Sequence, residues 1–387
     1  MNLKTIMPQL KPKASDKKSA AALPKVALAL DIGTRYTKLL VGKYSIDNPS
    51  ITQILIAETP RHAYTDGLVT DDGKLSILLN QLVSQMKLQT KDLIFTIEST
   101  KFIKREFVLP KVQNDGDIQG LATYEMVQYL PIDIAEYTIA PQVIGAVAEN
   151  DEEKIRVSVC AIPKNIIQAY QRLLTICDLK PFSMEIHSNS VEKIILHDIK
   201  HNTKSAYANK SVVFIDMGHT YFNVSFYDNG HYQFNQVLEV GGAGLNDVIS
   251  KYLPLDASTA EAVKIEVLNQ ISVEDLDTKY GNLLPSYEAH SNYESLLIEL
   301  LKVINQWVSY VDKVLSYMSR SRDKNIDKIY IYGGSSQING IAAYLEKKLA
   351  IKTAPAKALG SCNYANDTIK RSIMSVYGNA LGAFLRL

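Results

Sequence analysis

The 387-residue chain has few cysteines, almost no net charge and no long apolar run. Its three cysteines, Cys160, Cys177 and Cys362, lack a C-x-x-C spacing, which argues against a zinc site or disulfide framework and indicates core thiols in a reducing compartment. A formal net charge of +1 gives no general attraction to nucleic acid. No segment approaches the roughly 18 apolar residues of a membrane-spanning helix, and the N-terminus lacks a signal-peptide core. These absences predict a cytoplasmic protein.

The chain is too long for a single hydrophobic core, so two or more domains are expected. Residues 1–24 differ from the rest because they combine five lysines and three prolines with one acidic residue. This composition predicts a flexible basic tail. A solvated tail without a role and a weak basic contact with anionic lipid or a partner both remain open.

One short pattern occurs twice, near the starts of two apparent halves. The copies are ALALDIGT at residues 27–34, followed by Lys38, and VVFIDMGHT at residues 212–220. Each predicts an apolar strand that ends in an aspartate, followed by a tight turn with glycine and a hydroxyl residue. A third strand ending in glycines, IYIYGGS, follows at residues 329–335. Turns of this kind facing each other across a cleft suit a nucleoside triphosphate and its metal ion.

The residue types in these turns fit that chemistry. Asp31 and Asp216 are hard oxygen ligands of the kind that hold Mg²⁺, usually together with water and phosphate oxygens. Glycine beside each aspartate lets backbone N–H groups approach phosphates, and Lys38 adds a positive charge within reach. Either turn alone is better interpreted as a plain strand-ending turn, but their repetition with the third strand favours nucleotide binding.

The chain resembles the actin-like ATPase superfamily in the hairpin YFNVSFYDNG (221–230) and the following EVGGAGL (239–245). Within that superfamily it is most similar to the PilM family of type IV pilus assembly proteins. Four further stretches carry this narrower resemblance: YEMVQYLP (124–131), AIPK (161–164), AEAVK (260–264) and YGNALG (377–382). The resemblance covers about residues 25–387. FtsA, another member, ends in a polar linker and an amphipathic membrane helix, and no such extension follows Phe384 here.

The resemblance implies an α/β, actin-like (ribonuclease H-like) two-lobe fold with an inserted small α+β subdomain. The first lobe is expected over 25–208, with the insert at about 101–180. The second lobe is expected over 209–387, with its C-terminal helix returning to the first lobe. Tyr124, Tyr129 and Tyr137 in the insert form either an aromatic binding stripe or, as we favour, half-buried core residues.

The resemblance also assigns roles to individual residues. Asp31 and Asp216 would hold Mg²⁺, mostly through water, and orient the attacking water. The residues that would contact phosphates are Gly33, Thr34, Lys38, Gly218 and Thr220. Gly242, Glu261 and Lys264 would meet ribose and adenine, with a surface ion pair as the alternative for Glu261 and Lys264. Gly333, Gly334 and Ser335 would back the adenine.

Some positions depart from the family pattern. His219 and Phe222 stand where small or hydroxyl residues are usual, and Phe222 is expected to narrow the phosphate pocket. Glu185 is a weak candidate for positioning water, with a structural role preferred. His187, His201 and His231 lack ligand spacing and are interpreted as ordinary loop or core histidines. Nucleotide binding is therefore expected with slow or absent hydrolysis.

These features and the resemblance predict a cytoplasmic ATP-binding scaffold of a type IV pilus or type II secretion-like assembly machine, acting at the inner face of the cytoplasmic membrane. The resemblance implies a partner, the N-terminal tail of a PilN-type membrane protein, which would bind beside the insert along Phe102-Ile103 and Phe107-Val108-Leu109. Self-association and contacts with other pilus assembly proteins are also possible. The alternatives are an FtsA- or MreB-like filament former and a small-molecule kinase. The kinase alternative is disfavoured because a kinase needs a general-base aspartate, and we find no further aspartate after either turn that fits this role.

Overall fold

The computed structural model describes residues 26–86, 90–112, 114–129, 133–149, 152–281, 292–322 and 324–385. The predicted tail, Leu130-Pro131 of the family stretch and the predicted helix break at 283–285 lie outside these residues. The chain forms two compact units. The first runs to Tyr44 and resumes over Gln53–His187, and the second comprises Ser45–Thr52 and Ser188 onward. The lobe boundary predicted at 208/209 differs from this division and stays a prediction.

The first unit alternates strands and helices. Its elements are β1 (Val26–Ile32), β2 (Tyr36–Lys43), β3 (Ser50–Glu58), β4 (Tyr64–Thr65), β5 (Leu68–Val69), α1 (Asp72–Gln85), β6 (Asp92–Ile97), β7 (Ile103–Pro110), α2 (Asp115–Tyr129), β8 (Tyr137–Glu149), β9 (Glu152–Pro163), α3 (Lys164–Ile176) and β10 (Lys180–Ile186). The main strand order is β10-β6-β1-β2-β3, in which β10, β6 and β1 are parallel and β2 runs antiparallel to β1. Leucines of α1 and α3 pack on this sheet with β1 and β6. Because β1 is buried on both faces, it reads as a continuous apolar run.

Within the predicted insert, 101–180, the strands form a three-stranded antiparallel sheet in the order β7-β9-β8, with α2 packed on one face. Helix α3 also falls in the predicted range, but it packs on the main sheet instead. The small core of the three-stranded sheet and α2 includes Leu109, Met126 and Val157. Tyr137 packs partly buried against this core. Tyr124, however, is 62% exposed on α2, so its interpretation as a half-buried core residue is wrong. The side chain of Tyr129 lies outside the described residues.

The second unit is built on a mixed sheet. Its elements are α4 (His187–His201), β11 (Ser211–Met217), β12 (Phe222–Asp228), β13 (His231–Leu238), α5 (Gly242–Tyr252), α6 (Ala257–Gln270), α7 (Val273–Tyr280), α8 (Asn292–Arg322), β14 (Lys328–Tyr332), α9 (Ile341–Leu349), β15 (Thr353–Pro355), β16 (Asn363–Tyr364) and α10 (Asp367–Phe384). The strand order is β13-β12-β11-β14-β15, with β11, β12 and β13 antiparallel and β14 and β15 parallel to β11. The β12–β13 turn contains Asn229 and Gly230 at positive φ, as the Asp-Asn-Gly sequence predicts.

Helix α8 supplies the apolar face that covers this sheet. Leu297, Leu301, Ile304, Trp307 and Val311 recur at helical spacing and are all buried. Trp307 packs edge-on against the Phe222 ring, with 5.0 Å between ring centroids. Although α8 is long, no helix of the described residues is both long and apolar enough to cross a lipid bilayer.

The C-terminal helix α10 packs within the second unit, closely against α4. A methyl group on Gly382 would lie 2.1 Å from the Ser190 carbonyl oxygen, so only glycine permits this approach. Ser190 lies before the predicted lobe boundary at 208/209. The segment over 45–52 is also held here, because β16 pairs with Ser50 and Ile51 at the start of β3.

Candidate functional site

The two Asp–Gly segments fold into the same kind of turn. The Gly33 N–H donates to the Tyr36 carbonyl (N···O 3.0 Å), and the Gly218 N–H donates to the Tyr221 carbonyl (3.1 Å). In each case the first strand of the hairpin also pairs in parallel with a third strand, β6 beside β1 and β14 beside β11. The repeat in the sequence is therefore a repeat of local structure, and each turn lies at the carboxyl end of a buried strand.

Asp31 is buried and paired with a cation. It is 2% exposed, its Oδ2 lies 3.0 Å from Lys38 Nζ, and its Oδ1 lies 3.7 Å from His187 Nε2. Burial alone would raise the pKa of Asp31, but the Lys38 ammonium and the His187 imidazole hold that pKa well below its usual range. The interpretation of His187 as an ordinary loop or core histidine stays a prediction, although its ring faces Asp31.

Three polar side chains form a row across the parallel strands beside this turn. Asp31 is the register partner of Thr96, and Thr96 is the register partner of Glu185 on β10. All three are at most 2% exposed. Paired residues of parallel strands point to the same face, so Glu185 lies on the face of Asp31, two strands away. This placement gives Glu185 a geometric reason to be considered with Asp31.

The first turn is braced from β3. Thr59 Oγ1 donates to the Gly33 carbonyl (2.7 Å) and lies 2.9 Å from Thr37 Oγ1, while the Thr59 N–H donates to the Arg35 carbonyl. Thr34, between these anchored residues, is half-buried. The hairpin tip is thus held rigidly, as a binding turn requires.

Asp216 in the second unit has a different environment. The Asn379 amide donates from Nδ2 to Asp216 Oδ2 (2.7 Å), and the Tyr332 hydroxyl donates to Asn379 Oδ1 (2.9 Å). A methyl group on Gly333 would lie 2.4 Å from Asp216 Oδ1, and Gly333 has φ +88°. Glycine is therefore required at 333 by Asp216 itself and by the left-handed backbone. Gly334 has open space around its Cα and starts a short 3-10 helix.

The second turn is tied to the start of α5. The N–H groups of Gly242 and Ala243 donate to the carbonyls of Gly218 and His219, at 3.1 and 2.7 Å. A methyl group on Gly242 would lie 2.8 Å from Ser335 Oγ and 3.1 Å from Lys264 Nζ. The double glycine, Gly241-Gly242, therefore allows the second Asp–Gly turn, α5, α6 and the segment after β14 to lie close together.

Glu261 and Lys264 form a buried pair beneath Gly242. Lys264 Nζ lies 2.8 Å from Glu261, Asn246 Nδ2 donates to Glu261 Oε2 at 2.8 Å, and Glu261 and Lys264 are 7% and 8% exposed. Burial would raise the pKa of Glu261, but Lys264 and Asn246 together lower it. The alternative of a surface ion pair is therefore wrong.

The residues that depart from the family pattern, and those near them, lie in different environments. Phe222 is fully buried against Trp307 in the core, so the expectation that it narrows a phosphate pocket is wrong. His219 Nδ1 lies 3.9 Å from Glu261 Oε2, beside the buried pair. Ser335 Oγ donates to the Gly218 carbonyl (3.1 Å). Thr220 is half-buried at the turn.

Sequence reasoning missed three residues that the structure brings to these turns: His187, Asn246 and Asn379. Asn379 lies within the YGNALG stretch, and Asn246 lies shortly after Gly241-Gly242. Both residues are therefore close to motifs that the sequence analysis identified. Nothing in the sequence marked His187, because its contact with Asp31 depends on the order of β10, β6 and β1.

The donor sets of the two aspartates differ in their fit to Mg²⁺. Asp216 offers a carboxylate whose orienting partner is a neutral amide, which suits a hard cation. Both oxygens of Asp31 face nitrogen atoms of the chain, so Asp31 suits contact through water rather than direct ligation. Across the described ranges, no group of three or more histidine, cysteine or acidic side chains is arranged to hold a metal ion.

The fold is shared with several solved structures. A PilM–PilN type IV pilus biogenesis complex matches with a TM-score of 0.76 and 16% identity, covering 93% of this chain and 98% of the other. The ethanolamine utilization protein EutJ from Carboxydothermus hydrogenoformans matches with a TM-score of 0.52 and 12% identity, covering 92% and 90%. These likenesses confirm the predicted fold class, the two-lobe actin-like α/β fold.

Comparison of the sequence alone gives the family. No curated protein matches the chain. The family model described as type IV pilus assembly protein PilM matches residues 29–275, which span both Asp–Gly turns and the Glu261–Lys264 pair. The chain therefore belongs to the PilM family of type IV pilus assembly proteins.

Proposed function

We propose that the protein is an ATP-binding cytoplasmic scaffold of a type IV pilus assembly machine that binds the N-terminal tail of a PilN-type membrane protein. The observation that carries the nucleotide part is the repeated Asp–Gly hairpin, with the buried Glu261–Lys264 pair directly beneath Gly242. Two rigid glycine turns at strand ends and a buried acid–base pair suit a ligand that carries both phosphates and hydroxyl groups.

The residue roles follow the sequence prediction, with one refinement. Gly33, Thr34, Gly218 and Thr220 contact phosphate oxygens. The nucleoside contacts come from Gly242, Glu261, Lys264, Gly333, Gly334 and Ser335. Asp216 meets the hydrated Mg²⁺, and Asp31 acts through water. Lys38 neutralises Asp31 as well as meeting phosphate, because its ammonium already lies against that carboxylate.

Slow turnover fits the same geometry. Glu185 lies on the face of Asp31 but two strands away, so it remains only a candidate to orient water. The Lys38 ammonium beside Asp31 reduces the ability of this carboxylate to polarise that water. Since phosphoryl transfer depends on positioning and electrostatics, we expect hydrolysis far slower than in a dedicated ATPase.

The partner part of the proposal rests on the insert. Strand β7 is an edge strand of the β7-β9-β8 sheet, so it can accept an added strand from an extended peptide. Val108 on β7 is 47% exposed, whereas Leu109 is buried in the insert core, so only alternate residues face a peptide. One of the similar solved structures is a PilM–PilN complex. A membrane-anchored partner would hold this protein at the inner face of the membrane.

Nucleotide binding is tested by thermal unfolding with and without Mg·ATP. Wild type should show a rise in melting temperature, because a ligand that binds only the folded state stabilises it. Lys264→Met should remove the rise, whereas Lys302→Met, which breaks an exposed pair with Glu299 on α8, should retain it. A wild type without any ATP-dependent rise would contradict the proposal.

Partner binding is tested with a fluorescent peptide of the PilN tail. Val108→Asp should weaken binding at least about tenfold, because a charge would be placed on the peptide-facing side of β7. Ile265→Asp is the matched control, since Ile265 on α6 is equally exposed, at 48%. Equal affinities of both variants and wild type would remove the insert from the partner site. Sedimentation with ATP tests the filament alternative, because filaments pellet and a scaffold does not.

A further inference from the structure

The C-terminal helix reaches the second Asp–Gly turn through a local irregularity. The backbone of α10 leaves helical geometry at Tyr377 (φ −110°, ψ 15°). At the next residue, a methyl group on Gly378 would lie 2.9 Å from the Tyr332 ring, so the helix backbone rests on β14. This close approach brings the following residue, Asn379, to Asp216.

The orientation of the Asn379 amide is fixed by chemistry on both sides. An ionised carboxylate only accepts hydrogen bonds, so the amide must turn its NH₂ group towards Asp216. Its carbonyl oxygen then faces Tyr332, whose hydroxyl donates to it at 2.9 Å. Asn379 and Tyr332 are each 3% exposed, so water does not compete for these bonds.

The side chains seen to contact the two aspartates differ in charge. Asp31 is held by a lysine and a histidine, and the lysine cancels its charge. The Asn379 amide is neutral, so it orients Asp216 without cancelling the negative charge that a divalent cation requires.

We propose that Asn379 is a positioning residue that fixes the Asp216 carboxylate for the hydrated Mg²⁺ of bound ATP, and that Tyr332 fixes Asn379. This inference rests on the proposed nucleotide binding. It gives α10, which contributes no residue to the predicted nucleotide contacts, a role in the metal dependence of binding. Any movement of α10 against β14 would then change how strongly Mg²⁺ supports ATP binding.

The test measures the dissociation constant of ATP with Mg²⁺ and with EDTA, and takes their ratio as the gain due to Mg²⁺. Asn379→Leu should reduce this gain about tenfold, while the affinity in EDTA stays within about twofold of wild type. Tyr332→Phe should reduce the gain by less, about threefold, because the amide loses only its orienting bond. Tyr344→Phe is the matched control: its hydroxyl also donates to an asparagine, Asn305, but away from the turns, and the gain should not change.

A double-mutant cycle separates positioning from a general structural effect. In Asp216→Asn the gain should be lost, and adding Asn379→Leu should change nothing more, because the two residues act as one unit. If Asn379→Leu weakens ATP binding equally in Mg²⁺ and in EDTA, the role of Asn379 is merely structural and the inference is overturned. If Asn379→Leu does not fold, the Tyr332→Phe and Tyr344→Phe pair decides the question.

The remaining outcomes distinguish the two proposals. If wild type shows a gain and both Asn379→Leu and Tyr332→Phe keep it in full, the positioning role is overturned and nucleotide binding stands. If wild type binds no ATP under either condition, the proposed nucleotide binding is wrong and the positioning role falls with it.

Discussion

Lys38 stands directly opposite Asp31 in the β1–β2 ladder, with its ammonium nitrogen 3.0 Å from the carboxylate. The pair is a consequence of the hairpin register, because the turn of residues 33–36 places position 38 beside position 31. Removing Lys38 would leave a carboxylate that is 2% exposed without its nearest cation.

We expect Lys38→Met to lower the free energy of unfolding at pH 7 by about 2 kcal/mol, since an unpaired buried charge is costly. The pKa of Asp31 is lowered in the folded state, so its stabilising contribution is present above its ordinary value of 3.8 and is lost as the pH falls towards the folded value. The difference between variant and wild type should therefore shrink below about pH 4. Urea unfolding at pH 7 and pH 3 measures it. Lys91→Met, which breaks the exposed pair with Asp178, should change stability by less than about 0.5 kcal/mol.

Asp277 on α7 joins two lysines of α9, and we expect Asp277→Asn to destabilise the second unit. The Asp277 side chain is 8% exposed and lies 3.1 Å from Lys347 and 2.9 Å from Lys348. Because both lysines are partly exposed, the loss should be about 1–2 kcal/mol rather than the full cost of a buried charge. Chemical unfolding measures it, and Glu299→Gln in an exposed pair serves as the control. Equal effects of both variants would show that burial of Asp277 adds nothing.

The buried His197 should make stability depend on pH. Burial and the neighbouring His201 ring, 4.4 Å away between centroids, lower the pKa of His197 from its ordinary value of 6.5. Lys200 also lowers it, whereas Asp198 and the Ile46 carbonyl oppose the shift, and Ser361 Oγ lies 3.0 Å from Nδ1.

A histidine with a lowered folded pKa leaves stability unchanged above about pH 6.5 and reduces it as the pH falls below that value. We expect His197→Gln to reduce this loss of stability between pH 7.5 and 5.5. Thermal unfolding across that range measures the effect. An unchanged profile in His197→Gln would show that His197 does not titrate in this range.

Phe222 should affect stability and leave nucleotide affinity unchanged. Its ring packs in the core against Trp307, so Phe222→Leu should cost about 1–2 kcal/mol of unfolding free energy. The dissociation constant of Mg·ATP should stay within about twofold of wild type. A folded variant with a large change in ATP affinity would restore the interpretation of Phe222 as part of a phosphate pocket.

The sequence by itself determined the features that depend on neighbouring residues. An apolar run followed by aspartate and glycine can form little other than a strand with a tight turn at its end, so both Asp–Gly hairpins were predictable. The Asn229-Gly230 turn was predictable for the same reason. The double glycine at 241–242 pointed to the start of α5, although not to the buried pair beneath it.

Only the tertiary structure decided which side chains meet at these turns. His187 reaches Asp31 because β10, β6 and β1 are adjacent, and Asn379 reaches Asp216 across 163 residues because α10 bends at Tyr377. The residues of β12 are buried from Phe222 to Tyr227, and alternation alone does not say which of them face α8. Such contacts depend on strand order and on how helices pack, which no local pattern specifies. The sequence therefore determined the turns, and the packing of the chain determined the charges and partners of their aspartates.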